Sequence, residues 1–91
     1  MINGDPNDFV DTVYSGQEIF FIYRGNHYMY QGYTQQEGLL TMELVPITED
    51  DKPVWKCTVA FDECLDVFQK APIFDGKTFW EAEKDIEWTD E

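Results

Sequence analysis

The chain has 91 residues, of which 19 are Asp or Glu and only 6 are Lys or Arg, giving a formal charge of −13. Nucleic acids and anionic membranes attract clusters of Lys and Arg, so direct binding to either is not expected. Because 43% of the residues are hydrophobic and 16% are aromatic, the chain is not a disordered acidic tail, and we expect one acidic domain over residues 1–91.

The first predicted element is an amphipathic helix over residues 5–15. Asp5 is a good N-cap, and Pro6 suits the first helical position because it has no N–H to lose there. Apolar side chains recur at helical spacing along this segment, namely Phe9, Val10, Val13 and Tyr14. We expect that face to pack on the core.

A β-hairpin follows the helix. The strands Gln17–Arg24 and His27–Thr34 are rich in Ile, Phe and Tyr, and Gly25-Asn26 between them is typical of a two-residue turn. This turn fixes the pairing of the two strands. The predicted pairs are Arg24 with His27, Tyr23 with Tyr28, Ile22 with Met29, and Phe21 with Tyr30.

Two further strands complete the predicted sheet. A turn at Gln35–Gly38 leads to the strand Leu39–Ile47, and a charged loop at Thr48–Pro53 leads to the strand Val54–Ala60. Residues on one face of a strand alternate, so the turns also assign every side chain to a face. The predicted core face comprises Phe20, Ile22, Met29, Tyr33, Leu40, Met42, Leu44, Trp55, Cys57 and Val59.

The opposite face of the predicted sheet carries an aromatic cluster. Its members are Phe21, Tyr23, Tyr28 and Tyr30. Tyrosine carries binding energy well, and a large apolar patch often marks a contact site, so these four residues form the candidate interaction surface. Two alternatives remain open: the C-terminal segment folds over this face through Trp80 and Trp88, or the register differs.

The C-terminal third begins with a second predicted helix, Phe61–Ala71, which Pro72 ends. Thr78 is a plausible cap for a short helix, and residues 85–88 either continue that helix or form a short strand. The predicted fold class is therefore α+β: a four-stranded antiparallel meander with two helices packed on one face. The element order is α-β-β-β-β-α, followed by a short C-terminal helix or strand.

One stretch of the sequence has a family resemblance. Residues 71–88, APIFDGKTFWEAEKDIEW, resemble the C-terminus of small, uncharacterised acidic bacterial proteins, and the hairpin around residues 20–31 is similar in the same way. The resemblance implies a bacterial source. It includes no motif that assigns chemistry, so it implies no function and no site residues.

The sequence has no recognisable catalytic, metal or cofactor set. His27 is alone beside a turn, and Cys57 and Cys64 match no zinc or disulfide pattern. The acidic run at residues 49–51 lacks the spacing of a calcium loop, which leaves a solvated loop or weak cation binding open. The segment near Met1 does not resemble a signal peptide, and no apolar run is long enough to span a bilayer. We expect a cytoplasmic protein that is not an enzyme.

These observations favour a small acidic protein-interaction module that acts on a basic protein partner, either as an inhibitor, as an immunity-type protein or as a phosphate mimic. The alternative is a small-molecule-binding module or minor enzyme with a pocket between the sheet and the C-terminal segment. A homodimer that pairs through the aromatic face or an edge strand is the third hypothesis.

Overall fold

The computed structural model describes residues 1–48 and 52–89, apart from the side chain of Gln35. The described helices are α1 (Pro6–Tyr14), α2 (Cys64–Lys70) and α3 (Phe79–Ala82). The described strands are β1 (Ile19–Tyr23), β2 (Asn26–Gln36), β3 (Leu39–Pro46), β4 (Trp55–Ala60) and β5 (Ile86–Thr89). They form one antiparallel sheet in the order β4-β3-β2-β1-β5. The α+β class is confirmed, and the predicted four-stranded sheet gains a fifth strand.

The fifth strand comes from the C-terminal segment, which forms both a short helix and a strand. β5 pairs with β1, so that Trp88 lies opposite Phe21 and Ile86 opposite Tyr23. The outer side of β5 is bridged by the N-terminal segment: Ile2 N–H donates to the Ile86 carbonyl at 2.9 Å, and Trp88 N–H donates to the Ile2 carbonyl at 2.9 Å. These bonds satisfy backbone groups that an edge strand would otherwise expose.

Local caps explain where the helices begin. An Asp5 carboxylate oxygen accepts the Asn7 N–H at 2.8 Å, so the predicted first helix is confirmed with its cap. The second predicted helix begins as a 3₁₀ turn at Phe61–Glu63 and continues as α2. α3 begins with a capping box, in which Thr78 N–H donates to Glu81 Oε1 at 3.0 Å.

The turn between β1 and β2 differs from the prediction. Arg24 and Gly25, with φ of 51° and 80°, occupy the two central positions, as a primed two-residue turn requires. Arg24 tolerates this left-handed backbone while its guanidinium lies 5.4 Å from the Tyr23 ring centroid and 3.5 Å from an Asp75 carboxylate oxygen. Phe21 consequently pairs with Tyr28. The predicted pairing was wrong by two residues, which is an even shift and leaves the faces of both strands unchanged.

The connection between β2 and β3 reverses the predicted faces. A two-residue turn pairs Gln36 with Leu39, but a bulge then places two residues of β2 opposite one residue of β3. Beyond the bulge, Tyr33 pairs with Thr41, and Tyr30 pairs with Leu44. The predicted register paired Tyr33 with Leu40. This slip of one residue moves the β1–β2 hairpin to the opposite face relative to β3 and β4.

The four residues predicted as the interaction surface therefore lie in the core. Phe21 and Tyr23 are 1% exposed and Tyr30 is 0% exposed, while Tyr28 is half-buried and stacks on Phe21 with a centroid separation of 5.4 Å. They face the apolar residues of the three helices, namely Phe9, Val10, Val13, Cys64, Phe68, Phe79 and Ala82. That part of the prediction was wrong because of the bulge.

The β3 and β4 half of the predicted core is confirmed. Its members on the helix side are Leu40, Met42, Leu44, Trp55, Cys57 and Val59, which are buried or partly buried. Four hairpin residues assigned to that core face the other way, namely Phe20, Ile22, Met29 and Tyr33. The predicted packing of both helices on one face of the sheet is also confirmed, since a single core cluster joins the helices to the sheet.

Buried tyrosine hydroxyls are accommodated by backbone carbonyls. Tyr30 Oη donates to the Val13 carbonyl at 3.3 Å, and Tyr23 Oη donates to the Phe74 carbonyl at 3.5 Å. Each bond provides the partner that a buried hydroxyl needs. Burial, with a smaller contribution from Cys64, also raises the pKa of Tyr30 well above the ordinary value, so that the phenol remains protonated.

Candidate interaction surfaces

The helix-free face of the sheet is arranged in rows that cross neighbouring strands. In one row, Phe20, Met29 and Val45 are paired in register and form an apolar stripe. In another row of the same face, Gln31, Glu43 and Lys56 are paired in register. The helix-free face therefore has an apolar half on β1, β2 and the end of β3, and a polar half towards β4.

Glu43 is the centre of the polar half. The residue is only 8% exposed, and its carboxylate accepts hydrogen bonds from Tyr33 Oη to Oε1 at 2.8 Å and from Gln31 Nε2 to Oε2 at 2.9 Å. Lys56 Nζ lies 3.3 Å from Oε1. Neighbouring side chains thus cover a carboxylate that lies at the sheet surface rather than deep in the molecule.

These contacts keep Glu43 ionised. The hydrogen bond from Gln31 and those from Tyr33 and Lys56 lower the pKa of Glu43 below its ordinary value, with burial acting in the opposite direction. Contacts with Tyr33 and then with Glu43 raise the pKa of Lys56. The polar half therefore holds a fixed negative charge together with an exposed ammonium group at neutral pH.

Two grooves open on this side of the molecule. The larger one, of about 600 Å³, joins both halves of the helix-free face and is lined by Phe20, Met29, Gln31, Glu43, Val45, Ile47, Pro53 and Lys56. The other, of about 420 Å³, lies beside the C-terminal segment and is lined by Ile2, Ile22, Arg24, Gly25, Asp85 and Glu87.

The helical layer presents a different surface. Tyr14 is 43% exposed and Phe61 is 40% exposed, and their rings lie 4.9 Å apart between centroids. Exposed carboxylates lie close to both aromatic residues in the sequence: Asp11 is one helical turn before Tyr14, and Asp62 directly follows Phe61. Two large exposed aromatic side chains that contact one another form a candidate contact surface.

The acidic character continues along α2 to a third exposed aromatic residue. Glu63 and Asp66 are exposed on the same layer, and Lys70 pairs with Asp66 at 3.0 Å. At the far end, Trp80 is 44% exposed and donates its indole N–H to Gln69 Oε1 at 2.8 Å. We call this region the helical surface; it comprises Asp11, Tyr14, Phe61, Asp62, Glu63, Asp66 and Trp80.

The histidine and the two cysteines lie at separate places on the sheet and on α2. His27 is exposed on β2, Cys57 is half-buried and Cys64 is buried, and both thiols are free. Burial raises the pKa of Cys64, which disfavours the reactive thiolate. Over residues 1–48 and 52–89, no three His, Cys, Asp or Glu side chains are grouped to hold a metal ion. The acidic run at residues 49–51 lies outside the described residues.

Sequence reasoning missed Glu43 and the helical surface. Glu43 is a charged residue within the otherwise largely apolar strand β3. This was the sequence signal for the polar site, because a carboxylate in such a strand requires polar neighbours. The helical spacing predicted Tyr14 on the core-facing side of the first helix, and Phe61 was predicted only as the first residue of the second helix. The exposed ring contact between them depends on how α1 meets the turn before α2, which periodicity does not encode.

Comparisons with protein-family models, with curated proteins and with solved structures give no match to this chain. In the described part of the chain, no helix is long and apolar enough to cross a membrane.

Proposed function

We propose that this protein is a small acidic interaction module that binds a basic protein partner through its helical surface. The observation that supports this most directly is the contact between Tyr14 and Phe61, which are 43% and 40% exposed and have acidic residues beside them. Exposing two aromatic rings costs hydrophobic free energy that a partner would recover.

The chemistry of the helical surface fits a partner rich in Arg and Lys. Aromatic side chains often carry most of the energy of an interface, and a guanidinium group can stack on Tyr or Trp while it pairs with a carboxylate. The formal charge of −13 would accelerate encounter with a positively charged protein, by an effect that salt weakens.

The partner class that best matches this surface is a protein with a basic, nucleic-acid-handling site. Carboxylates along α2 would take the positions of phosphate groups, and the module would act as an inhibitor or immunity-type protein by covering that site. We also propose a cytoplasmic setting for this action, in which Cys57 and Cys64, which form no disulfide with each other, would remain thiols.

The test is a pull-down that compares two surfaces of the molecule. Immobilised wild-type protein, the Tyr14→Ala variant and the Val54→Ala variant are exposed to lysate of the source cell at low and high salt. Val54 is the matched control, because it is 59% exposed and lines neither groove. A partner that binds the helical surface is recovered by wild type and Val54→Ala, is reduced at least tenfold by Tyr14→Ala, and is released by salt. Equal loss with both variants, or recovery that salt does not change, contradicts the proposal.

A second candidate function is small-molecule binding or a minor enzymatic activity in the groove beside the C-terminal segment. The observation that favours it is the presence of Arg24, Asp85 and Glu87 beside Ile2 and Ile22 in the lining of this groove, since a few polar groups among apolar residues are typical of ligand sites. A thermal-shift screen of zwitterionic metabolites tests this function: a saturable increase in Tm that Arg24→Gln abolishes supports it, and the absence of any increase contradicts it.

Light scattering of the same samples tests the homodimer hypothesis.

A further inference from the structure

We propose that the larger groove on the helix-free face is a guanidinium-binding site, in which Glu43 receives an arginine side chain of an extended polypeptide segment. This site lies on the opposite side of the sheet from the helical surface. It stands on its own observations and does not require the proposed function to be correct.

The carboxylate of Glu43 is held in place by neutral donors. Tyr33 Oη binds Oε1 at 2.8 Å, and Gln31 Nε2 binds Oε2 at 2.9 Å. Each oxygen therefore has one short hydrogen bond from within the sheet. A carboxylate oxygen has two lone pairs, so each retains the capacity for one further donor.

Lys56 is the contact most easily exchanged. Its ammonium lies 3.3 Å from Oε1, a longer separation than either neutral hydrogen bond, and its side chain is 53% exposed. Lys56 also belongs to β4, the last strand of the sheet order, where solvent can receive the displaced ammonium. When Lys56 leaves, the two oxygens become equivalent, with one bound and one available lone pair each.

That arrangement matches a guanidinium group better than an ammonium group. The planar fork of arginine donates two parallel N–H bonds to the two oxygens of one carboxylate, whereas lysine is a point charge that would only replace Lys56. Because the incoming cation substitutes for an existing one, the gain comes from the second hydrogen bond and from apolar contact.

The apolar half of the helix-free face provides that contact. Phe20, Met29 and Val45 form the row next to Glu43, and Ile47 is 48% exposed at the end of the groove. The groove of about 600 Å³ accommodates the arginine stem and one neighbouring apolar side chain. The expected ligand is therefore an arginine with an aliphatic or aromatic residue close to it in an extended segment.

The experiment uses the peptides acetyl-Leu-Arg-Leu-amide and acetyl-Leu-citrulline-Leu-amide, which differ in charge but hardly in shape. Each is titrated into the full chain while NMR follows the Met29 methyl and the Gln31 side-chain amide, with the Trp80 indole as a reporter of the helical layer. The arginine peptide is expected to shift Met29 and Gln31 saturably, and the citrulline peptide to bind at least tenfold more weakly.

Five variants separate this site from general charge effects. Glu43→Gln is expected to reduce the affinity for the arginine peptide at least tenfold, whereas Glu63→Gln, which makes the same charge change on the helical surface, changes it less than twofold. Lys56→Met removes the internal competitor and is expected to increase the affinity for the arginine peptide severalfold more than Lys84→Met, which makes the same charge change elsewhere. Lys56→Arg is expected to weaken binding of the peptide severalfold, because the new guanidinium occupies the site.

Each result decides between the two surfaces. Equal binding of both peptides, equal effects of Glu43→Gln and Glu63→Gln, or the same direction of change for Lys56→Met and Lys56→Arg overturns the guanidinium site. Shifts confined to the Trp80 indole also overturn it, while leaving the helical surface intact. If Glu43→Gln fails to fold, the two Lys56 variants retain the carboxylate and decide the question alone.

Discussion

Replacing two neighbouring phenylalanines by alanine tests which face of the β1–β2 hairpin is buried. Phe21 is 1% exposed and contacts the rings of Tyr28, Phe9 and Phe74 at centroid distances of 5.4, 5.7 and 6.0 Å. Phe20, the preceding residue, is half-buried on the helix-free face. Phe21→Ala should therefore destabilise the protein far more than Phe20→Ala.

The magnitude follows from the cavity that each substitution creates. Truncating a fully buried Phe removes its transfer free energy and leaves a void, at a cost of about 3–5 kcal/mol. The same change at the partly exposed Phe20 leaves an open surface that solvent can fill, at a cost of about 1 kcal/mol. A domain of this length has a total stability of about 5–14 kcal/mol, so the loss at Phe21 is roughly a fifth to a third of the total at the upper end of that range and most or all of it at the lower end.

The measurement is urea unfolding followed by tryptophan fluorescence, with wild type and both variants at one ionic strength. With a slope of about 2 kcal/mol/M, the midpoint should fall by about 2 M for Phe21→Ala and by about 0.5 M for Phe20→Ala. Equal midpoints, or a larger loss for Phe20→Ala, would show that the hairpin packs through its other face and would refute the assignment of both surfaces.

Three further predictions concern single positions in the sheet. Glu43→Gln should cost about 1 kcal/mol at pH 7. Because the pKa of Glu43 is lowered in the folded protein, the carboxylate stabilises the fold above the ordinary Glu pKa, and this benefit is lost as pH falls through the folded pKa. The urea midpoints of the variant and wild type should therefore approach one another as pH falls below the ordinary Glu pKa. Gly32→Ala should lower Tm by roughly 5–15 °C, since its Cβ would lie 3.1 Å from both Gly16 Cα and Tyr30 Oη; an unchanged Tm contradicts that close approach. Deleting Thr34 removes one bulge residue, and thermal unfolding followed by circular dichroism should remain cooperative. Deleting Thr41 within β3 should abolish the cooperative transition in the same measurement.

The order of elements could be predicted because it rests on local signals. The cap at Asp5, the turn glycines and the stop at Pro72 act within a few residues of the chain: the cap accepts a helix N–H, glycine permits the positive φ of a turn, and proline cannot continue a helix. The faces of β3 and β4 were also predicted correctly, since Met42 and Leu44 alternate with Thr41 and Glu43, and the structure pairs Met42 with Cys57 and Leu44 with Trp55 on the helix side.

The face of the hairpin could not be predicted because both of its faces are apolar. Phe20 and Ile22 are as hydrophobic as Phe21 and Tyr23, so composition does not decide between them. The decision is made by the bulge before β3, and a bulge of one residue has no strong sequence signal. Tyrosine hydroxyls add to the difficulty, because their burial depends on carbonyls at Val13 and Phe74 that are distant in sequence.

The same bulge assembles the Glu43 site. In the predicted register Gln31 pairs with Met42, so Gln31 and Glu43 would point to opposite faces of the sheet. The additional residue in β2 brings Gln31 opposite Glu43 and places the Tyr33 hydroxyl within 2.8 Å of the carboxylate. If the strands instead paired regularly from the Gln36–Leu39 turn, Gly32 would lie opposite Glu43, which would then have only the exposed Lys56 beside it, and a nearly buried charge with one exposed partner is costly. The core tyrosines and the polar half of the helix-free face are therefore consequences of one backbone irregularity, and a change that moved the bulge would alter both together.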